Sequence, residues 1–467
     1  MIRRLAAIGA SFPIALSGQT LDAARFRNPP ADARPALLWS WSGQITDTSL
    51  FVVDLRSSRT PEQLRAQIGA QAASSAGGSR QFAVAIDSAN PLVSALPDLA
   101  TWIARVTELG RGRSAAKMAV LVETRDSAFA RLIDRLERVQ AIFDVIPAVA
   151  LERSVTGPGE LQTAGQSYHA VVVPPGAALT RAIVARLAML SRDGGTVIAW
   201  RPLPSVGVAW PDTGARFHVL DSLPELREAL IRTPWSGVRE PGPPALRIRA
   251  LERGEDRVFV LFNASDRRIP IAPTFRMIGQ PELWDPDDGA VRFAPTRWSP
   301  RLAVTDVPIE LDPFQVVGIV FKGKSNSPRG PIDAPPMERT AARSDSTWRF
   351  RFVSGDTTWR PGALGSWTAV DSTYSGAALY EGTLQLTAVE SGHYWLDLGQ
   401  VHEIADIELN GQALGRRMWR PYRFDVTKIV QQGINRLSVR VTNTLANRTG
   451  TPLPSGLLGP VRLIFVR

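Results

Sequence analysis

The 467-residue sequence contains no cysteine, which excludes disulfide bonds, thiolate nucleophiles and cysteine-ligated metals. It has no uninterrupted apolar stretch near the length of about 20 residues that a transmembrane helix needs, so no membrane span is expected. Lysine is scarce (Lys117, Lys322, Lys324 and Lys428), and the net charge of +10 comes from arginines spread along the chain. A nucleic-acid surface usually shows clustered basic residues with interleaved aromatics, so we do not expect a nucleic-acid partner.

Motifs for several kinds of catalysis are also lacking. No G-x-S-x-G elbow occurs, so a serine hydrolase is unsupported. None of the histidines has metal-ligand spacing on a helix; they are His169, His218, His393 and His402. Gly318 to Ser325 fits the phosphate-loop pattern G-x-x-x-x-G-K-S. Its Ile319, Val320 and Phe321 belong in a strand, and the Pro-containing residues that follow cannot begin a helix, so no nucleotide binding is predicted.

An aspartate-rich segment resembles a calcium loop. Asp285, Asp287 and Asp288 follow its spacing, but Thr296 stands where the twelfth-position glutamate should be. The Pro-Asp-Asp-Gly sequence instead predicts a hairpin turn. We therefore expect no metal site and no cofactor.

The first 20 residues have the pattern of a signal peptide. Arg3 and Arg4 precede a mostly apolar run, and Ala15 and Ser17 could occupy the −3 and −1 positions of a cleavage site. This predicts export to the periplasm or outside the cell; the alternative is a frayed N-terminal segment.

The length predicts about three domains. Residues 21–89 fit no regular template, apart from strands at 37–41 and 82–86 and a helix at 61–68 capped by Thr60. Residues 90–235 alternate helices with buried strands, which predicts a flavodoxin-like parallel α/β domain. The expected helices are 96–109, 129–143 and 180–190, and the expected strands are 118–122, 171–176 and 194–200. None of these strands is followed by a glycine-rich phosphate loop, and Pro174-Pro175 removes backbone N–H donors where a nucleotide would need them.

The rest of the chain is β-like. Residues 236–324 predict a small β-sandwich, with strands at 257–263 and 316–321 and a hairpin at 283–292. Residues 325–345 form a Ser/Pro/Gly-rich linker. Residues 346–467 contain short alternating strands, including one with Leu437, Val439 and Val441, and the hairpin signal Asn410-Gly411. This pattern predicts an antiparallel sandwich. The segment also resembles the jelly-roll, galactose-binding-like module of multidomain glycoside hydrolases, which implies that fold here.

Carboxylates in this last domain could in principle serve glycoside hydrolysis, which needs two of them on a rigid frame. They are Glu381, Glu390, Asp397, Asp406 and Glu408, and a solvated strand face explains them better. Better candidates for sugar contact are aromatic and polar residues that could stack on a pyranose or bond its hydroxyls. We single out Trp395, Asn410, Trp419, Arg420, Tyr422 and Asn443; the competing interpretation is that Trp395 and Tyr422 pack the core.

Several local sequences resemble glycoside hydrolase family 106, the α-L-rhamnosidases. The matching segments are Phe26 to Gly43, Asn90 to Arg113, Glu282-Leu-Trp-Asp-Pro, Tyr374 to Glu381, Leu409-Asn-Gly, Trp419-Arg-Pro-Tyr, Val441-Thr-Asn-Thr, Asn447-Arg and Ser455 to Arg462. The resemblance implies glycan ligands, rhamnose-containing or other plant or bacterial glycans. It also implies a catalytic (β/α) barrel between the first two segments.

That barrel does not fit into the sequence. A barrel needs about 250 residues, and only residues 48–89 are available, with Asp54, Glu62 and Asp87 as their candidate acids. The family's acid, base and calcium site therefore cannot be carried over, and the catalytic residues remain unknown. We expect a non-catalytic carbohydrate-binding or scaffold protein. The alternative is an α-L-rhamnosidase with a rebuilt site or with a barrel from a partner chain. The oligomeric state is left open.

Overall fold

The computed structural model describes residues 20–39, 50–54, 60–75, 81–87, 89–163, 165–202, 216–220, 222, 224–226, 228, 242–323, 338–344, 348–450 and 452–467. The predicted signal peptide and most of the predicted linker lie outside these residues. None of the described helices is long and apolar enough to cross a bilayer.

The N-terminal part forms a small parallel sheet with helices. Its elements are α1 (Ala23–Arg27), β1 (Ala36–Trp39), β2 (Leu50–Asp54), α2 (Pro61–Ala73), β3 (Gln81–Ile86) and α3 (Leu96–Gly110). Helix α2 begins as predicted, because Thr60 and Gln63 form a reciprocal capping box and Pro61 occupies the first turn. The strands lie in the order β1-β3-β2, with both pairs parallel. The sequence predicted only three short elements in this segment. The structure instead has a three-stranded sheet in which β1 pairs with β3 and not with β2, the next strand along the chain.

The α/β part has five parallel strands in its sheet. Its elements are β4 (Arg113–Ser114), β5 (Met118–Val122), α4 (Ser127–Arg138), β6 (Asp144–Pro147), β7 (Val155–Gly157), β8 (Glu160–Thr163), β9 (Gln166–Tyr168), β10 (Ala170–Val173), α5 (Arg181–Arg192), β11 (Thr196–Trp200) and β12 (Phe217–Leu220). The sheet order is β12-β11-β10-β5-β6, while β7, β8 and β9 form a separate antiparallel sheet. Helix α4 packs on one face of the five-stranded sheet and α5 on the other.

Two of the predicted helices differ from the sequence prediction. The helix expected to reach Phe143 ends at Arg138, and β6 follows as an unpredicted edge strand. Gln140 has a positive φ of 53°, which breaks the helix, so the apolar Ile142 and Phe143 belong to the approach to β6. The second difference concerns α3, which we expected in the α/β domain. It packs with α2 in the N-terminal core, where Trp102 and Ile103 are buried.

A mostly antiparallel region follows. Its strands are β13 (Leu246–Arg253), β14 (Asp256–Asn263), β15 (Ile269–Ile271), β16 (Thr274–Phe275), β17 (Glu282–Trp284), β18 (Val291–Phe293), β19 (Arg297–Ser299), β20 (Val304–Asp306), β21 (Ile309–Leu311) and β22 (Val316–Phe321). The main sheet has the order β18-β17-β22-β14-β13-β4. One face packs on α2 and α3, and the other packs on the two small sheets.

Two sequence predictions are confirmed in this region. The Pro-Asp-Asp-Gly segment is the turn of the β17-β18 hairpin, with Gly289 at a φ of 74°. Gly318 to Phe321 of the phosphate-loop pattern lie inside β22, where they pair with β14. Lys324 and Ser325 lie outside the described residues.

The C-terminal part is an antiparallel sandwich. Its strands are β23 (Glu338–Arg343), β24 (Trp348–Phe352), β25 (Arg360–Gly362), β26 (Ala377–Leu386), β27 (His393–Asp397), β28 (Gln400–His402), β29 (Ile404–Leu409), β30 (Gln412–Arg417), β31 (Arg423–Asp425), β32 (Gly433–Thr442), β33 (Gly456–Gly459) and β34 (Arg462–Val466). The two larger sheets have the orders β23-β34-β27-β31 and β25-β24-β26-β32-β29-β30. Asn410 and Gly411 form the predicted turn, with φ values of 52° and 81°.

Candidate functional site

Trp419 and Arg420, two of the predicted sugar-contact residues, join the C-terminal sandwich to the N-terminal helices. The Trp419 ring packs edge-on against Trp102, with centroids 4.9 Å apart, and only 5% of the residue is exposed. The Arg420 guanidinium donates to both oxygens of Glu62, each at 2.8 Å. The contacts of both side chains are therefore made within the protein, at an interface between its parts.

The other four predicted sugar-contact residues lie elsewhere in the sandwich. Tyr422 is in the core, where its hydroxyl donates to the Glu403 carbonyl and burial raises the pKa of the phenol well above 10.0. Trp395 is half-buried on β27, on the face opposite the core residues Tyr394 and Leu396. Tyr422 thus packs in the core of the sandwich, as the competing interpretation of the sequence proposed.

The two asparagines have their side-chain groups engaged. Asn410 donates to the Ile429 carbonyl and to Asn435, and accepts from the Arg436 backbone. Asn443 accepts from the Gly376 backbone and donates to the Tyr374 carbonyl and the Ser455 hydroxyl. The structure thus does not bring the six residues together around one pocket. Sugar contact by them stays a prediction and does not enter the proposals below.

The carboxylates of the sandwich lie mainly in ion pairs with arginine. The pairs are Glu381 with Arg349, Glu390 with Arg339, Asp397 with Arg423 and Arg462, and Asp406 with Arg416. Glu408 is exposed on β29, two residues from Asp406. Of the acids near the N-terminus, Glu62 is paired with Arg420, Asp87 is exposed, and the side chain of Asp54 lies outside the described part.

The aspartate turn is tied to the helices that pack on it. Asp287 accepts from Trp102 Nε1 at 2.9 Å and from the fully buried Arg65, which also donates to the Pro313 and Arg420 carbonyls. Asp285 accepts from the Asp287 backbone and from Gln315. Burial, followed by the charges of Asp287 and Asp288, raises the pKa of Asp285 to about 7. In the described part of the chain, no three His, Asp or Glu side chains are grouped to hold a metal ion.

An open cleft of about 820 Å³ is lined by β4, the residue before β5, the end of β6 with the segment that follows it, and the β8-β9 hairpin. We call it the basic cleft, because Arg113, Lys117 and Arg153 line it. Its remaining lining residues are the apolar Pro147, Val149 and Ala150, the polar Gln162, Thr163, Gln166 and Ser167, and Gly165. Sequence reasoning missed this cleft, since its three cations are spread over 41 positions (113–153) and looked evenly dispersed.

Comparison with known proteins relates the chain to glycoside hydrolases. Residues 369–451 match the family described as glycosyl hydrolase 2 galactose-binding domain-like. A putative beta-glucuronidase from Formosa agariphila is 38% identical over 112 residues, which cover 22% of this chain and 10% of that protein. The structure of a rhamnosidase from Novosphingobium sp. PP1Y aligns with a TM-score of 0.68 and 22% identity over 92% of this chain and 51% of that chain.

The matches bear on fold and on relationship. The chain contains a galactose-binding-like domain within a β-rich multidomain architecture. It shares its fold with part of the rhamnosidase, and it spans about half the length of that structure and a tenth of the glucuronidase. A relationship to glycoside hydrolases, as predicted, is thereby supported.

Proposed function

We propose that this protein is a relative of the family 106 α-L-rhamnosidases that binds glycans without cleaving them. The proposal assigns the five-stranded sheet to a flavodoxin-like domain, since its order β6-β5-β10-β11-β12 corresponds to strands 2-1-3-4-5 of that fold. It assigns the C-terminal sandwich to the galactose-binding-like jelly roll.

The observation that carries the proposal is the strand order β1-β3-β2. In a closed eight-stranded barrel the first strand pairs with the eighth, and the eighth with the seventh. Three parallel strands in the order first, eighth, seventh are what remains when the second to sixth strands are removed. Helix α2 between β2 and β3 fits this assignment, because each barrel strand is followed by a helix.

The chain length between the strands agrees with such a loss. Only residues 40–49 separate the end of β1 from the start of β2, whereas five strands and their helices need well over 100 residues at barrel proportions. Barrel enzymes take their catalytic groups from the ends of several strands around the rim. Three strands hold too little of that rim to place an acid and a base on both sides of a glycosidic bond.

A second candidate function has one observation in its favour. Asp54 is the last residue of β2 and Asp87 directly follows β3, so both stand at the carboxyl end of the parallel sheet. Catalytic residues of barrels occupy this end. A partner chain that supplied the missing strands would make the protein part of an active α-L-rhamnosidase.

Assays of the purified chain decide between the two. We expect no hydrolysis of aryl α-L-rhamnosides, and binding of glycans by calorimetry, with rhamnose-containing oligosaccharides as the first probes. Turnover that copurifies with the chain and is lost in Asp54→Asn or Asp87→Asn would contradict the non-catalytic proposal. Asp193→Asn serves as the control variant, since Asp193 is exposed and follows α5, outside the sheet formed by β1, β2 and β3. Failure to bind any glycan would contradict the binding half.

A further inference from the structure

We propose that the basic cleft is a binding site for an acidic oligosaccharide, which it holds through carboxylate or sulfate groups on the sugar. This inference rests on the proposed glycan binding and names the site and the ligand class. The cleft volume of about 820 Å³ is within the range of about 300–1,000 Å³ typical of ligand pockets.

The charges of the cleft favour an anion. Among the described residues, no carboxylate oxygen lies within 4.0 Å of the side-chain nitrogens of Lys117 or Arg153. Arg113 pairs with Glu252, which Arg257 also contacts, so that group as a whole is positive. The cations of the cleft therefore outnumber the carboxylates that face them.

One acid lies beside the cleft. The carboxylate of Glu160 accepts from Ser167 and Gln162, and these hydrogen bonds, with smaller contributions from the charges of His169 and Lys117, lower its pKa. Glu160 therefore stays ionised and offsets one positive charge. Arg153 and the Arg113 group still leave the cleft positive.

The four polar lining side chains of the basic cleft favour a sugar over an inorganic anion as its ligand. Each of its four side chains donates a hydrogen to an oxygen of the protein: Gln162 to Glu160, Thr163 to Ala150, Gln166 to Ser114 and Ser167 to Glu160. The two hydroxyls are left with acceptor capacity only, and among the described residues each amide has no partner for its carbonyl oxygen or its second N–H. Sugar hydroxyls can donate to these oxygens, whereas a sulfate ion has no hydrogen to give.

The apolar lining also bears on the ligand class. Pro147, Val149 and Ala150 contribute aliphatic surface, and none of the described lining residues is aromatic. Binding of single-stranded nucleic acid relies on aromatic side chains that stack on bases. The C–H groups on the face of a sugar ring can pack against these aliphatic side chains. The cleft therefore combines cations for an anionic group, acceptors for hydroxyls and an apolar surface for the ring.

Titration calorimetry with two matched ligand pairs tests the proposal. The carboxylate pair is an oligogalacturonate and its fully methyl-esterified form. The sulfate pair is a sulfated maltooligosaccharide and its unsulfated parent. We expect at least one charged ligand to bind about tenfold or more tightly than its uncharged partner, with binding that weakens as salt is added. Which pair responds identifies the anionic group.

Variants locate the site. Lys117→Gln and Arg153→Gln should each weaken binding of the charged ligand by roughly threefold to tenfold. Arg181→Gln makes the same change of charge at an exposed position on α5 outside the cleft lining, and should leave affinity within about twofold. Thermal melting of each variant checks that it folds. Arg153 is exposed, so we expect Arg153→Gln to disturb folding less than Lys117→Gln.

Three results would overturn the inference. The first is equal affinity for the charged and the uncharged ligand of each pair. The second is unchanged affinity in both cleft variants. The third is displacement of the bound sugar by sodium sulfate at the same concentration of anionic groups and the same ionic strength. If glycans bind but the cleft variants have no effect, the proposed function stands and this inference fails. If no glycan binds at all, both fail.

Discussion

Arg420 and Glu62 form a bidentate ion pair between residues 358 positions apart in the sequence. Nε and Nη2 of the arginine donate to the two carboxylate oxygens, each at 2.8 Å. The hydrogen bonds to Glu62, which exceed the opposing effect of partial burial, raise the pKa of Arg420. This pair links the turn before β31 in the C-terminal sandwich to the first turn of α2.

A double-mutant cycle should measure this link. We expect a coupling free energy of about 1 kcal/mol between Glu62→Gln and Arg420→Gln in urea unfolding. A bidentate arginine–carboxylate pair, with two parallel hydrogen bonds, stabilises a protein more than an ordinary surface ion pair does. The value stays modest because 43% of the arginine side chain is exposed. The exposed pair Arg349–Glu381 is the control and should couple more weakly. A coupling near zero would mean that solvent screens the pair completely.

Gly69 lies in the interior of α2, where alanine would normally stabilise a helix by up to about 1 kcal/mol. A Cβ at this position would come within 2.4 Å of the Phe262 ring on β14. We therefore expect Gly69→Ala to destabilise the protein by about 1–3 kcal/mol, because the core is overpacked. Gly110→Ala, at the end of α3, is the control, since its Cβ would meet no atom within 4 Å. Equal stability of the two variants in denaturant unfolding would refute the close approach.

Arg65 is fully buried and holds the aspartate turn to α2. Arg65→Leu keeps the bulk but leaves the Asp287 carboxylate without its arginine and two carbonyls without a donor. We expect a loss of about 3–5 kcal/mol in the free energy of unfolding, as for other broken buried ion pairs. Arg131→Leu, an exposed arginine on α4, should change stability by less than about 0.5 kcal/mol. A small effect at Arg65 would show that water or a rearranged side chain replaces it.

The raised pKa of Asp285 predicts a dependence of stability on pH. The folded protein keeps the proton up to a pH of about 7, while the unfolded chain releases it near 3.8. Between these values the folded state binds more protons, so the free energy of unfolding falls as the pH rises. Asp285→Asn should make this fall shallower, in urea unfolding from pH 4.5 to 7.5. Asp193→Asn, at an exposed carboxyl, should leave the slope unchanged; an unchanged slope in Asp285→Asn would instead rule out this titration.

The elements whose signals are local could be predicted from the sequence. Thr60 and Pro61 start α2 because the capping box needs only residues within one turn. Asn410-Gly411 forms its hairpin turn because both residues accept a positive φ. Leu437, Val439 and Val441 point into the sandwich because side chains alternate along a strand. The resemblance of short local segments likewise indicated the relationship to glycoside hydrolases.

The tertiary structure decided what depends on distant residues. Local pattern does not say which strands are neighbours, so the order β1-β3-β2 became visible only in the folded sheet. Trp419 and Arg420 resembled sugar contacts, but Trp102 and Glu62, more than 300 positions away, engage them instead. Arg113, Lys117 and Arg153 looked dispersed along the chain and line one cleft. In each case the deciding contact joins segments far apart in sequence, and only packing of the whole chain brings such segments together.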